Sequence, residues 1–212
     1  MRPPLTDGEA GTMTDVLEFY FDFSSPYGYF ASHRVDEVAE AGGRRAVWKP
    51  IMLGAVMKQS GVKPLIQVPI KGEYSRHDWE RLGRLFDVPW VLPDPFPIAT
   101  LAAARAFYWL DADDPDRTKD FAKVVFHAYF GEGRDITSAE VIADLAEPLG
   151  VDRDALLAAV QDPQWKQRLV DEGNRAIERG VCGSPFFIVD GEGFWGCDRL
   201  LMVQTWMTEG GW

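Results

Sequence analysis

Only two cysteines, Cys182 and Cys197, occur in 212 residues. Two thiols cannot build a disulfide framework, and the pair fits a reducing, cytoplasmic compartment. Histidine is almost as scarce. His33, His77 and His127 are scattered without ligand spacing, and the two cysteines do not complete a zinc site with them, so no metal is expected. An excess of cations is also missing: the formal net charge of −11 argues against nucleic acid or an anionic membrane as a partner. No apolar run approaches the ~20 residues that a membrane span needs. Glycine-rich phosphate loops, repeats and low-complexity tracts are absent from the sequence as well. Residues 1–12 are rich in proline and glycine, lack the apolar centre of a signal peptide and precede a second methionine, Met13. They read as a disordered leader.

What the chain has is aromatic residues, 13% of the total, enough for a substantial core in one good-sized domain or a domain with a large insertion. The stretch from Phe19 to Tyr27 organises the rest. Residues 17–23 alternate aromatic and β-favouring side chains and read as a buried strand that stops at Ser24-Ser25-Pro26. Proline suits the first turn of a helix, where its missing N–H is no loss, and residues 27–41 carry apolar groups at helical spacing. Ser25 therefore falls between a strand end and a helix start, where backbone N–H groups and the helix dipole favour an anion. The plainer reading of Ser25 is a helix N-cap.

Gly42-Gly43 closes that helix, and residues 45–51 form a second strand, parallel to the first by a right-handed crossover. Residues 54–74 look like loop. A helical block follows, with helices over 75–85 (Trp79, Leu82 and Leu85 on one face), 98–110 (apolar nearly all round) and 115–130. Thr137-Ser138-Ala139-Glu140 has the capping-box form, its helix ending before Pro148. Asp152 opens a short helix, and Asp162-Pro163 opens one that Gly180 closes. Strand character returns at 186–189, Asp190-Gly191 supplies a hairpin turn, and 193–196 pairs back. Asp198 caps a last helix to Met207 with Leu200, Leu201, Val203 and Trp206 inward. The order is β-α-β, a long helical insert, then β-β-α: an α/β fold whose sheet domain spans 13–74 and 176–212, interrupted by an all-α domain at 75–175.

That plan is the thioredoxin-like fold with a large all-α insertion, as in DsbA-like proteins. Three segments carry a closer resemblance: Phe21-Asp22-Phe23-Ser24-Ser25-Pro26-Tyr27, Gly183-Ser184-Pro185, and Phe194-Trp195-Gly196-Cys197-Asp198-Arg199-Leu200. Together, in this order, they resemble the 2-hydroxychromene-2-carboxylate isomerases and kappa-class glutathione transferases. In disulfide oxidoreductases the turn reads Cys-x-x-Cys, with cysteines where Ser25 and Gly28 stand here. Without a thiolate at that turn, thiol–disulfide exchange cannot run there.

The resemblance implies that glutathione is the cofactor and that the Ser25 hydroxyl faces its sulfur. A free thiol with a pKa of about 8.5 is only about 3% ionised at pH 7, and a depression of two units is worth roughly 2.7 kcal/mol. Ser25 thus activates an imported sulfur instead of attacking. The resemblance further implies a cis bond at Ser184-Pro185, with Ser184 offering its backbone to glutathione's cysteine moiety. Cys197-Asp198 would grip the γ-glutamyl end, although Cys197 replaces the usual small polar residue. Residues 57–64 resemble the loop over glutathione, with Val62 where an asparagine is common. Lys49, Lys58, Lys63 and Tyr27 are candidates for binding substrate. Tyr74, Asp78 and Arg81 recur at similar spacing in relatives and serve either the site or the bracing of the helices.

The reaction implied is isomerisation of an aromatic 2-hydroxychromene-2-carboxylate. The alternatives are a kappa-like transferase or a non-catalytic glutathione-binding protein of this fold. Reading the hairpin about Gly191 pairs Pro185 with Cys197 and Cys182 with Leu200, which keeps the cysteines apart. Trp90 and Trp212 look exposed and, with the resemblance, point to a homodimer.

Overall fold

The structure, a computed structural model, describes residues 15–212; the expected leader lies outside the described residues. A four-stranded sheet runs in the order β2-β1-β3-β4. Strand β1 (Val16–Phe21) lies centrally and pairs in parallel with β2 (Arg45–Pro50), Phe19 opposite Trp48. On its other side β3 (Phe186–Val189) runs antiparallel, and β4 (Glu192–Trp195) completes the hairpin. Strand alternation sends Leu17, Phe19 and Phe21 to one face, where they stack with Trp48, Phe187 and Phe126. Tyr20 turns to the opposite face, into a smaller cluster with Ile51, Val56, Ala176 and Ile188.

The first strand ends two residues earlier than its apolar run. Phe23 belongs to the turn, yet is fully buried against Phe21 and Phe126. The single helix expected over 27–41 is two, α1 (Pro26–Ser32) and α2 (Val35–Ala41), interrupted at His33-Arg34. The dipole at Ser25 therefore comes from two turns of helix, not four.

The expected loop over 54–74 is largely helical: α3 (Leu53–Ser60), a 3-10 turn (Leu65–Gln67) and the first turn of α4 (Lys71–Phe86). Gly61, at φ 72°, supplies the left-handed C-cap of α3. In α4 the buried stripe is Gly72, Ser75, Trp79 and Gly83, whereas Leu85 is exposed. Small residues seat this helix: a Cβ on Gly83 would meet Trp90 at 2.8 Å, and one on Gly72 the carbonyl of Ile66 at 2.8 Å. Trp90 is accordingly half-buried and stacks on Phe130, while Trp212 is exposed.

Helices α5 (Leu101–Asp111), α6 (Pro115–Phe126), α7 (Ala139–Ala146), α8 (Arg153–Gln161) and α9 (Pro163–Glu178) form the helical block. Helix α6 stops four residues early and widens into a π turn, His127–Gly131, which buries Tyr129 and Phe130. Ser138, not Thr137, caps α7; its hydroxyl accepts the Glu140 N–H. Asp152 and Asp162 cap α8 and α9 as their spacing requires. The final helix, α10 (Leu200–Glu209), buries Leu200, Val203 and Met207 and leaves Leu201 exposed. One continuous core joins the sheet face to α5–α9. Among the described residues no helix is long and apolar enough to cross a membrane.

Glu18, on the smaller-cluster face of β1, accepts hydrogen bonds from Tyr20 and Arg179 and pairs with Lys49 at 2.8 Å. Burial alone would raise its pKa, but the bonds from Arg179, Lys49 and Tyr20 outweigh it and hold the carboxyl at about 2. Its stabilising contribution is thus complete above about pH 4.5 and disappears as pH falls through about 2. Unfolding titrations should show Glu18→Gln with a shallower loss of stability across that acid window than the parent chain. Equal slopes would mean that Glu18 carries no such linkage.

Candidate active site

The turn after β1 is pinned from several sides. The Ser25 N–H donates to the Asp22 carbonyl at 2.9 Å, and the Asp22 carboxylate accepts the Ser24 N–H at 2.8 Å. Ser24 Oγ accepts the N–H of Ile98. Ser25 then caps α1, its Oγ accepting the Gly28 N–H at 3.1 Å. The same hydroxyl donates to the carbonyl of Ser184 at 3.0 Å, across 159 residues of chain. The cap reading of Ser25 therefore holds, and the same hydroxyl is directed at the loop before Pro185. The Ser184-Pro185 bond is cis, and Ser184 Oγ accepts the Asp22 N–H at 3.0 Å. Ser25 is 3% exposed and Ser184 9%, so this contact lies just beneath the surface.

Gly28 completes the arrangement. A Cβ there would meet Ser184 Oγ and Ser25 Cβ at 3.2 Å and Ser25 Oγ at 3.4 Å. A second cysteine at this position would crowd the hydroxyl that its absence leaves clear. Both native thiols are held toward their neutral form. Burial pushes Cys197 up to about 12, with Asp198 and Asp78 adding to the rise, and burial raises Cys182 as well. Both cysteines are free. The hairpin register differs by one from that expected: Phe186 faces Trp195, and the Gly196 N–H bonds to the Pro185 carbonyl. Gly196 lies at φ 115°, with the Asp198 carboxylate folded against it where no side chain fits.

The other expected site residues divide. Asp198 is exposed and caps nothing; it sits in a 3-10 turn (Cys197–Arg199) 3.7 Å from Arg199, with its carboxylate open to solvent. Val62 is exposed, and its N–H is committed to the Met57 carbonyl as part of the α3 cap, which leaves only its carbonyl to offer a ligand. Lys58 and Lys63 are exposed and form no ion pair among the described residues. Lys49, by contrast, pairs with Glu18 and packs on the Tyr20 ring. Tyr27 donates to Asp78 at 2.9 Å and packs edge-on against Trp79, while Arg81 grips the other Asp78 oxygen at 2.8 Å. Those residues brace α1 against α4, and burial followed by the bond to Asp78 raises the Tyr27 pKa.

The family model described as DSBA-like thioredoxin domain matches residues 16–207. The chain belongs to the DsbA-like thioredoxin family. Within it, the chain is 30% identical to a 2-hydroxychromene-2-carboxylate isomerase of Pseudomonas putida over 194 residues, 91% of this chain and 94% of that one. It is 26% identical to glutathione S-transferase kappa 1 of Rattus norvegicus, over 93% of this chain and 95% of the other. A solved structure of a selenomethionine 2-hydroxychromene-2-carboxylate isomerase superposes with a TM-score of 0.83 at 30% identity, covering 92% and 95%. The sequence resemblance to the isomerase and kappa branch is thereby upheld.

Asp22, a charged residue at the end of an aromatic strand, received no role from the sequence although it stands inside the first motif. A buried charge requires partners, and that was the available signal. For the two thiols, iodoacetamide at about pH 8 should label Cys182 at least about tenfold faster than Cys197, with both labelling after denaturation. Peptide mass spectrometry reads the difference; equal native rates would contradict the burial and raised pKa of Cys197.

Proposed function

We propose that this protein is a glutathione-dependent isomerase acting on 2-hydroxychromene-2-carboxylate or a related aromatic intermediate, with trans-o-hydroxybenzylidenepyruvate as the product. The carrying observation is the Ser25 hydroxyl, held against the carbonyl before a cis-proline in a chain whose own thiols are both raised in pKa. The isomerases and kappa transferase to which the chain is similar support the reading. When bound, glutathione would supply a thiolate that adds to the conjugated double bond, permits rotation about the resulting single bond and leaves as the double bond re-forms.

The chain's residues have distinct tasks in this scheme. Ser184 offers its carbonyl to the N–H of the ligand's cysteine moiety, as an adjoining strand would. That carbonyl now accepts the Ser25 proton. Once the ligand's N–H takes it over, the hydroxyl is released to donate to sulfur. One proton thereby links binding to activation. Asp198, open to solvent, takes the ligand's ammonium, and the backbone at Cys197 takes its carboxylate. Lys58 and Lys63, exposed and without an ion pair among the described residues, are candidates for the substrate carboxylate. The substrate is a planar aromatic molecule, and a homodimer in a reducing cytoplasm is the expected setting.

Absorbance assays of the chromene carboxylate with and without glutathione test this directly. Turnover should require glutathione without consuming it, and Ser25→Ala should lower kcat/KM about a hundredfold, the scale of losing one transition-state donor. Turnover unchanged by Ser25→Ala would sink the assignment. Stoichiometric loss of glutathione to a chlorinated nitrobenzene, without isomerisation, would favour the transferase, and no glutathione binding in calorimetry a non-catalytic role.

A further inference from the structure

Asp22 is 3% exposed and places a carboxyl group in the core. Its carboxyl oxygens accept hydrogen bonds from three segments. Oδ1 accepts the Ser24 N–H at 2.8 Å and the Thr100 hydroxyl at 2.9 Å, while Oδ2 accepts the Leu53 N–H at 2.7 Å. Leu53 is the first residue of α3, whose N-cap residue, Met52, has no side-chain cap. Thr100 precedes α5, and its hydroxyl points at Asp22 and not at its own helix. The Asp22 backbone adds two more ties, its N–H to Ser184 Oγ and its carbonyl to the Ser25 N–H. One residue therefore touches the Ser25 turn, the root of the segment expected over glutathione, the helical block and the cis-proline loop.

We propose that Asp22 is the positioning residue of this site: its buried carboxylate clamps the Ser25 turn, the start of α3 and the start of α5 into one unit, and so sets where the serine hydroxyl stands relative to a bound thiol. The part that concerns the thiol rests on the proposed function; the clamp itself does not. Burial pushes the Asp22 pKa up, and the bonds from Ser24, Leu53 and Thr100 oppose that rise. Tyr129 is the titratable side chain near it.

The geometry discriminates between roles. Asparagine in place of aspartate presents one acceptor and one donor where two acceptor oxygens stand. Whichever way the amide turns, it confronts either the Ser24 or the Leu53 N–H with another donor. As an electrostatic neighbour alone, Asp22→Asn removes a negative charge from behind the turn and should lower the pKa of bound glutathione's thiol. As a clamp, its loss misplaces the Ser25 hydroxyl and should raise that pKa.

The expected result for Asp22→Asn is a bound-thiol pKa about one unit higher by ultraviolet thiolate absorbance, with glutathione affinity changed less than about threefold. Amide hydrogen exchange in the ligand-free protein should accelerate at least about tenfold at Ser24 or Leu53. Thr100→Val removes one donor while keeping the charge, and covers the case in which Asp22→Asn fails to fold. It should raise the thiol pKa in the same direction by less. A lowered or unmoved thiol pKa in the variants overturns the positioning role. Unchanged amide exchange in a folded Asp22→Asn overturns the clamp whatever glutathione does. Should the parent chain leave the thiol's acidity untouched while those amides accelerate in Asp22→Asn, the clamp is upheld and the glutathione reading is what fails.

Discussion

A hydroxyl has one proton to give, and at Ser25 that proton is directed to the carbonyl of Ser184. The turn around it is pinned: the same oxygen accepts the Gly28 N–H, and the Ser25 N–H donates to the Asp22 carbonyl. Leaving a buried carbonyl without a donor costs about 1–3 kcal/mol, whereas a satisfied hydrogen bond contributes only about 1 kcal/mol net. In the free chain the Ser25 O–H therefore stays directed at the Ser184 carbonyl. A cysteine at position 25 would make a weaker donor and a better nucleophile, and the chemistry would pass to the protein's own sulfur.

Much of this could be read in the sequence because the signals are local. The aromatic run before Ser24-Ser25-Pro26, the Asp190-Gly191 hairpin turn and the Asp162-Pro163 helix start each specify their conformation within a few residues. Two serines far apart in sequence, which the resemblance groups together, meet in the Ser25–Ser184 hydrogen bond.

What escaped the sequence depends on distant partners. Helix α3 has no capping side chain of its own; the first N–H is satisfied by Asp22, 31 residues upstream, so nothing nearby announces a helix. In α4 the inward stripe is built partly of glycines that admit Trp90 and the Ile66 backbone, and a count of large apolar residues favours Leu85 wrongly. The partners of Lys49, Glu18 across the strand pair and the neighbouring Tyr20 ring, come within reach only once the sheet forms. Tyr27 likewise finds Asp78 only when α4 docks.

The unbroken core between the sheet and α5–α9 limits how this architecture can be recombined. Phe21 and Phe23 of the strand and turn interleave with Phe107 and Phe126 of the helices, so no seam separates two independently finished surfaces. Transplanting the helical half from a relative would set mismatched aromatic shapes against each other and leave voids that a close-packed interior does not tolerate. Substitutions in an exposed segment such as that near Val62 disturb this packing far less than an exchange of whole modules.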